Sequence, residues 1–320
     1  MNPNKIVEAL KKYNNFIITA HINLEGDAIG SVLAMKSLLD KLGKDSRIVV
    51  PEAVPEIYSK IRGIDAIGTE IPSDVKYDAL VALDCTSAKR IENIAQYANE
   101  NKLIIINVDH HASNMNFGDV NWVEPEASSA GEMLYDIFKA ASIEIDMLAA
   151  EHLYIAIMTD TGSFRYTNTT PHVFRVAAEL LEKGVDPAEL YDALYSNRTL
   201  DNIRLLSKAL GTIKVDPGGK IAWAVLDLPL LEGSGYNKGD LDGFIDYPRS
   251  IRDVEVAILF TQIAAGVVKV SMRSNTDLDV NKVASAFGGG GHIKASGCTL
   301  TGELNDIIER VIDETKRYFL

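Results

Sequence analysis

A basic surplus is missing from this chain. Its 320 residues carry 45 Asp and Glu against 32 Lys and Arg, a formal net charge of −13. Proteins that grip long nucleic acid displace counterions with a basic face, so this balance argues against a long duplex as ligand. A phosphate group would have to be held locally, by metal ions and a few Arg, Lys or His side chains. Cysteine is scarce too, and Cys85 and Cys298 lie far apart. That excludes a disulfide framework as the organising device and leaves two buried thiols in a reducing compartment as the expectation. No uncharged apolar run reaches the ~18 residues of a membrane helix. The opening Met1-Asn2-Pro3-Asn4-Lys5 turns amphipathic without a signal-peptide apolar stretch. A cytoplasmic protein with no membrane partner is expected. The P-loop pattern, the dinucleotide-binding glycine pattern and the G-x-S-x-G elbow are absent as well.

What is present is a globular mix, 47% apolar and 24% charged, in a length that suits two domains. Apolar strings read as strands at Asn15 to His21, Ser46 to Val50, Ala79 to Asp84 and Leu103 to Asp109. Helical periodicity fills the gaps at Pro3 to Lys12, Gly26 to Leu42, Glu56 to Ile61, Ile91 to Asn99 and Ser129 to Ala140. Further helices are expected at Met147 to Met158 and Pro171 to Lys183. Continuously apolar strands alternating with helices imply an α/β domain, a parallel sheet with helices on both faces. The run Pro187 to Leu210 reads as a helical link. After the turn at Asp216-Pro217-Gly218-Gly219 the pattern changes. A strand is expected at Lys220 to Leu228, a helix at Leu241 to Ile251, and a hairpin of Val254 to Phe260 with Val267 to Arg273. Helices at Val280 to Phe287 and Leu304 to Phe319 complete a smaller mixed α/β domain. The expected division is 1–190, a connector at 191–215, and 216–320.

Acidic and histidine side chains recur where these elements end. His21, Glu25 and Asp27 follow the first strand, Asp84 closes ALVALD, Asp109-His110-His111 closes LIIINVD, and Asp160 closes a helix. Ligands of open parallel sheets bind beyond the carboxyl ends of the strands. Carboxylates gathered there raise one another's pKa, and a divalent cation removes that cost. Carboxylate-rich sites with imidazoles lean to Mn²⁺ or Mg²⁺. Two such ions lower the pKa of a bridging water and neutralise a phosphoryl group. Each residue alone has an ordinary reading: Asp84 as a helix N-cap, Glu25 and Asp27 at the positive end of a helix. The joint pattern does not.

These residues, in this order, make the chain resemble the DHH phosphoesterases that carry a DHH-associated C-terminal domain. That group includes nanoRNases, 3′-phosphoadenosine 5′-phosphate phosphatases and dinucleotide phosphodiesterases. The segment Gly288-Gly289-Gly290-Gly291-His292 is similar to the glycine-rich signature of the associated domain. The resemblance implies two divalent ions, Mn²⁺ before Mg²⁺. His21, Glu25 and Asp84 would hold one, with Asp84 shared, and Asp27, His110 and Asp160 the other. Asp109 and His111 would orient ligands or meet the scissile phosphate. It further implies substrate contacts from Arg273, Ser274, Asn275, Gly289, Gly290, Gly291 and His292. Lys294, Arg249, Arg252, Phe164 and Arg165 are lesser candidates. The implied substrates are small nucleotides or short single-stranded oligonucleotides, cleaved by a phosphodiesterase or exonuclease-type hydrolase, and a homodimer is compatible with the resemblance. The first motif departs from the family's His-x-x-Pro-Asp-x-Asp: Leu24 and Glu25 stand for Pro and Asp. A regulatory nucleotide-binding protein with an impaired metal centre is the competing reading. An inorganic pyrophosphatase is another, opposed by the glycine-rich segment.

Overall fold

The computed structural model describes residues 3–73, 75–196, 198–232, 241 and 243–319. The chain divides into two compact units, Met1–Asn197 and Arg198–Leu320. The first holds strands β1 (Asn15–Ala20), β2 (Asp45–Val49), β3 (Ile67–Gly68), β4 (Ala79–Leu83), β5 (Ile104–Asp109) and β6 (Val120–Val123). They pair in the order β3-β2-β1-β4-β5-β6, every neighbour parallel. Around them lie α1 (Pro3–Lys12), α2 (Gly26–Lys41), α3 (Glu92–Glu100), α4 (Ala130–Ala141), α5 (Met147–Asp160), α6 (Pro171–Glu182) and α7 (Pro187–Tyr195).

The uninterrupted apolar strings are explained by burial on both sides. Phe16, Ile18, Val81 and Ile106 join one core with α1, α2, α4 and α5. Ile17, Leu80, Ala82 and Ile105 join a second core with Ile94, Ala95 and Ala98 of α3. The strand order reverses between β1 and β4, and at such a switch point the two crossovers leave in opposite directions and open a crevice beyond the strand ends. Glycine lets the helices there approach closely. A Cβ on Gly30 would lie 2.4 Å from the His152 carbonyl oxygen, and one on Gly131 would lie 2.4 Å from the Ala156 Cβ. Thus α2 and α4 both press against α5.

The second unit has α8 (Leu200–Leu210), β7 (Lys214–Val215), β8 (Ile221–Leu226), α9 (Leu228–Glu232), α10 (Asp246–Arg249), β9 (Val256–Ala264), β10 (Val267–Ser274), α11 (Val280–Ser285), β11 (Gly290–Gly291), β12 (Ala295–Thr301) and α12 (Leu304–Lys316). Its sheet runs β11-β12-β10-β9-β8-β7. β8 and β9 are parallel and the other neighbours antiparallel. Ile258, Phe260, Val270 and Met272 pack toward α11 and α12, while Ala224, Leu226 and Leu259 pack toward α8. This is the expected α/β fold with a parallel first sheet and a mixed second one.

Several elements differ in detail. The run from Pro187 to Leu210 is two helices: Thr199 has extended backbone, and its hydroxyl accepts the Asn202 N–H as the N-cap of α8. The Glu56 stretch is one 3₁₀ turn, Glu56–Tyr58. The expected helix at Leu241 to Ile251 lies partly outside the described residues; within them α10 covers one turn. The short strands β3, β6, β7 and β11 give no readable alternation, and β12 is built largely of small polar residues. Both cysteines are free and buried. Among the described residues, no helix is long and apolar enough to cross a membrane.

Candidate metal centre

At the carboxyl ends of β1, β4 and β5, three acidic oxygens surround one imidazole nitrogen. His110 Nε2 lies 3.6 Å from Asp27 Oδ2, 3.5 Å from Asp84 Oδ1 and 3.5 Å from Asp160 Oδ2. Its Nδ1 is 3.2 Å from the Ala127 carbonyl oxygen. A proton on Nδ1 serves that carbonyl and leaves a lone pair on Nε2. Four electron-rich atoms then face one another, an arrangement that only a cation makes favourable. Asp84 is the hub. Its Oδ2 is 3.2 Å from His21 Nε2, and its Oδ1 is 3.3 Å from His111 Nδ1. That Oδ1 is buried and, among the described residues, is met only by imidazole nitrogens at 3.3–3.5 Å, as expected of an oxygen kept for a metal. Ligand atoms of Asp27, His110 and Asp160 converge closely enough to hold one ion, and those of Asp84, Asp109 and His111 form another close group. An oxygen-rich donor set with imidazole suits a divalent cation of the Mn²⁺ or Mg²⁺ kind.

The titrations express the same crowding. Burial, then the Asp84 charge, pushes Asp27 well above the usual carboxylate range. Burial pushes Asp160 up to about 6, helped by Asp84 and opposed by His110. Burial would pull His110 down, but the charges of Asp160, Asp84 and Asp27 hold it well above the ordinary imidazole value. Burial would raise Asp84, yet hydrogen bonds from His110 and His21 keep it well below its usual range. Without metal, protons stand where cations could.

The backbone holds this set rigidly. Asp84 takes φ 49°, a left-handed conformation that swings its carboxylate off the strand line. Asp27, in the first turn of α2, caps the amides of another helix. Its oxygens accept the Ala130 N–H at 2.8 Å and the Gly131 N–H at 3.0 Å, the first amides of α4, and the Ser31 hydroxyl at 3.0 Å. Asp109 accepts from His111 Nδ1 at 2.8 Å and from Asn114 Nδ2 at 2.5 Å. Glu25 stands apart. It is exposed at the N-cap of α2 and makes no capping hydrogen bond, though its charge reaches Asp160. Among the described residues it joins none of the convergent ligand groups.

Sequence reading missed the residues behind these ligands. Asn107 and Asn114 both donate to the Cys85 carbonyl, and Asn168 donates to the Asp160 carbonyl at 3.1 Å. Arg90 Nη2 lies 2.9 Å from His21 Nδ1. Amides and a loop arginine carry no periodic or motif signal; the proximity of Asn114 to Asp109 was the one cue available.

In the second unit, Gly289, Gly290 and Gly291 form and flank the edge strand β11. A Cβ on Gly289 would lie 2.2 Å from the Gly297 carbonyl oxygen, and Gly291 has φ 146°. His292 closes a tight turn, its N–H donating to Ala295 O at 2.8 Å. Arg273 at the end of β10 is half-buried and donates Nη1 to the Met272 carbonyl. Ser274 is buried and donates to the Thr276 carbonyl. Asn275 donates to the Arg249 and Val254 carbonyls and accepts from Arg249 Nε at 2.8 Å. Lys294 pairs with Asp277 at 3.2 Å.

Comparison with known proteins gives the family. The model of the DHH family N-terminal domain matches residues 15–157, and that of the DHHA1 domain matches 218–317. A Thermus thermophilus protein named bifunctional oligoribonuclease and PAP phosphatase NrnA is 33% identical across 97% of this chain and 92% of its own length. The crystal structure of an exopolyphosphatase-related protein from Bacteroides fragilis superposes with a TM-score of 0.91 at 26% identity, covering 99% of this chain and 96% of that one. Thermus thermophilus RecJ in complex with Mn²⁺ shares the fold at a TM-score of 0.54 and 16% identity, covering 99% of this chain and 54% of that one. With its ligand-bearing strand ends and its two matched domains in order, the chain belongs to the DHH family.

Proposed function

We propose that the protein is a metal-dependent phosphoesterase that hydrolyses small phosphorylated nucleotides, linear dinucleotides or very short oligonucleotides. The observation that carries this reading is the ring of Asp27, Asp84 and Asp160 oxygens 3.5–3.6 Å from His110 Nε2. The relative from Thermus thermophilus, similar along nearly its whole length, supports the substrate class. Asp27, His110 and Asp160 would hold one divalent ion, His21 the other with Glu25 turned inward, and Asp84 both; Mn²⁺ is favoured over Mg²⁺. Ions bound there would supply an acidified water and offset phosphoryl charge.

The chain's own residues do the rest. Asp109 holds the His111 ring from Nδ1, which leaves Nε2 to orient or protonate a phosphoryl oxygen. Asp27, tied to the α4 amides, fixes the distance between α2 and α4. Arg273, with Ser274, Asn275, Gly289 to Gly291 and His292, forms the substrate-binding segment of 216–320. Ser274 and Asn275 shape the turn beside Arg273. The region 1–190 carries the metals, and 191–215 links the two. The protein acts in the cytoplasm.

The test is turnover of a linear dinucleotide, a five-nucleotide RNA, a 24-nucleotide RNA, 3′-phosphoadenosine 5′-phosphate and pyrophosphate, with Mn²⁺ and then with chelator. Chelator-sensitive cleavage of the short nucleotides is expected. Nucleotide binding with no turnover of any of them would instead make it a regulatory protein, with exposed Glu25 as the reason. Cleavage of pyrophosphate alone would overturn the nucleotide reading.

A further inference from the structure

Arg90 is a cation hydrogen-bonded into a cluster otherwise made of carboxylates and imidazoles. It lies in the short turn Ala88–Ile91 that follows β4. Its main-chain oxygen accepts the Ile22 N–H at 3.0 Å, and its Nη2 donates back to the Ile22 carbonyl at 3.0 Å. The same Nη2 is 2.9 Å from His21 Nδ1, which is itself 2.7 Å from the Ile22 carbonyl. One residue thus ties the segment after β1 to the segment after β4, the two strands flanking the switch point. His21 Nε2 is thereby aimed at Asp84. Of the side chain, these bonds use Nη2 alone. Among the described residues, Nε and Nη1 of Arg90 donate to no protein acceptor, although the residue is half-buried.

A guanidinium fixed by one nitrogen has lost most of its freedom and still offers two directed donors. That is the geometry that recognises phosphate oxygens. The crevice beyond β1 and β4 is also where an open parallel sheet receives its ligand. We propose that Arg90 binds a phosphate group of the nucleotide through Nε and Nη1, while Nη2 keeps His21 in register. The proposal rests on the phosphoesterase reading and adds to it the anion contact of the first unit. Arginine suits the place better than lysine, because its planar fork fixes the direction of Nε and Nη1 once Nη2 is engaged.

The experiment uses the full chain with Arg90→Gln and Arg90→Lys. Calorimetry reads Mn²⁺ binding without nucleotide, and then AMP binding at saturating Mn²⁺. Steady-state kinetics read KM and kcat for 3′-phosphoadenosine 5′-phosphate. For Arg90→Gln, AMP binding at saturating Mn²⁺ should weaken tenfold or more and KM should rise, with any loss of Mn²⁺ affinity several-fold smaller than the loss of AMP affinity. Arg90→Lys should recover part of the AMP affinity. AMP affinity within twofold of wild type would overturn the proposal. So would a loss of AMP binding matched by an equal loss of Mn²⁺ binding, which would make Arg90 a brace for His21 alone. No measurable AMP binding by the wild type would overturn it too. Wild-type turnover on the nucleotide panel is scored separately, so failure here leaves the phosphoesterase reading standing.

Discussion

Asp84 concentrates more of the site's chemistry than any neighbour it touches. Both its oxygens face imidazole nitrogens, from His21, His110 and His111. Asp84→Asn keeps the shape and removes the charge that two ions would share. Turnover should fall by about three orders of magnitude or more, because activation of water and neutralisation of the phosphoryl group fail together. Calorimetry should show Mn²⁺ binding lost or reduced to one weak ion; two ions bound with near-normal affinity would refute the shared-ligand role. Asn114 tests the support behind the ligands. Its amide reaches Asp109 at 2.5 Å, Asn107 at 2.9 Å and the Cys85 carbonyl at 3.0 Å. Asn114→Ala should cost about 1–3 kcal/mol of stability in chemical denaturation, since buried acceptors lose their donor. It should also lower activity by ~10–100-fold through a loosened His111.

Protons at the same residues predict a pH response of the metal-free protein. Asp160 sits at about 6 when folded, above its ordinary value of 3.8, and Asp27 is raised as well. Their contribution is complete below the ordinary value and is lost as pH rises through the folded one. His110, also raised, loses its contribution in the same direction at higher pH. Asp84, held low, gives up its contribution only in acid below this window. The melting temperature in chelator should therefore fall from pH 5 to pH 8. Saturating Mn²⁺, which replaces those protons, should abolish or reverse the fall. A metal-free melting temperature that rises over this range would contradict the assignment.

At the scale of elements, the decisive feature is how closely α2 and α4 approach α5. Gly30 has no room for a side chain: a Cβ would meet the His152 carbonyl at 2.4 Å and the Ala156 nitrogen at 2.9 Å. Both are backbone atoms and cannot rotate away. Gly30→Ala should cost ~1–3 kcal/mol from overpacking, measured by urea denaturation. Because Asp27 rides on α2 and Asp160 ends α5, Mn²⁺ affinity should drop in the same variant. Undiminished affinity would mean that α2 tilts without moving Asp27. The helices and central strands were readable in the sequence because each repeats an apolar period long enough to detect. The two-residue strands β3, β7 and β11 were not, being too short to show one. The break between α7 and α8 was signalled by Thr199 followed by Asp201 and Asn202, but helical patterns on either side of it read as one run.

For the whole molecule, two compact units, each with buried cores of its own, imply two responses to metal. The described carboxylate and imidazole ring belongs to the first unit alone. Hydrogen exchange on the full chain should slow on Mn²⁺ addition around β1, β4, β5 and the first turn of α4, and change little in β8, β9, β10 and β12. Equal protection across both sheets would show that metal binding orders more than the ring.

The sequence by itself determined the residue types and their posts. A carboxylate or imidazole ends each of the central strands β1, β4 and β5, or follows it directly, and two-sided apolar strands require a parallel sheet covered by helices. These are local properties of period and burial. Tertiary structure decided which strand ends are neighbours, because pattern carries no information about strand order. It also turned Asp27 onto the amides of α4, bent Asp84 into a left-handed conformation and left Glu25 exposed. And it brought Arg90 across 69 residues to His21, a contact set by packing at the switch point, where no periodicity could announce it.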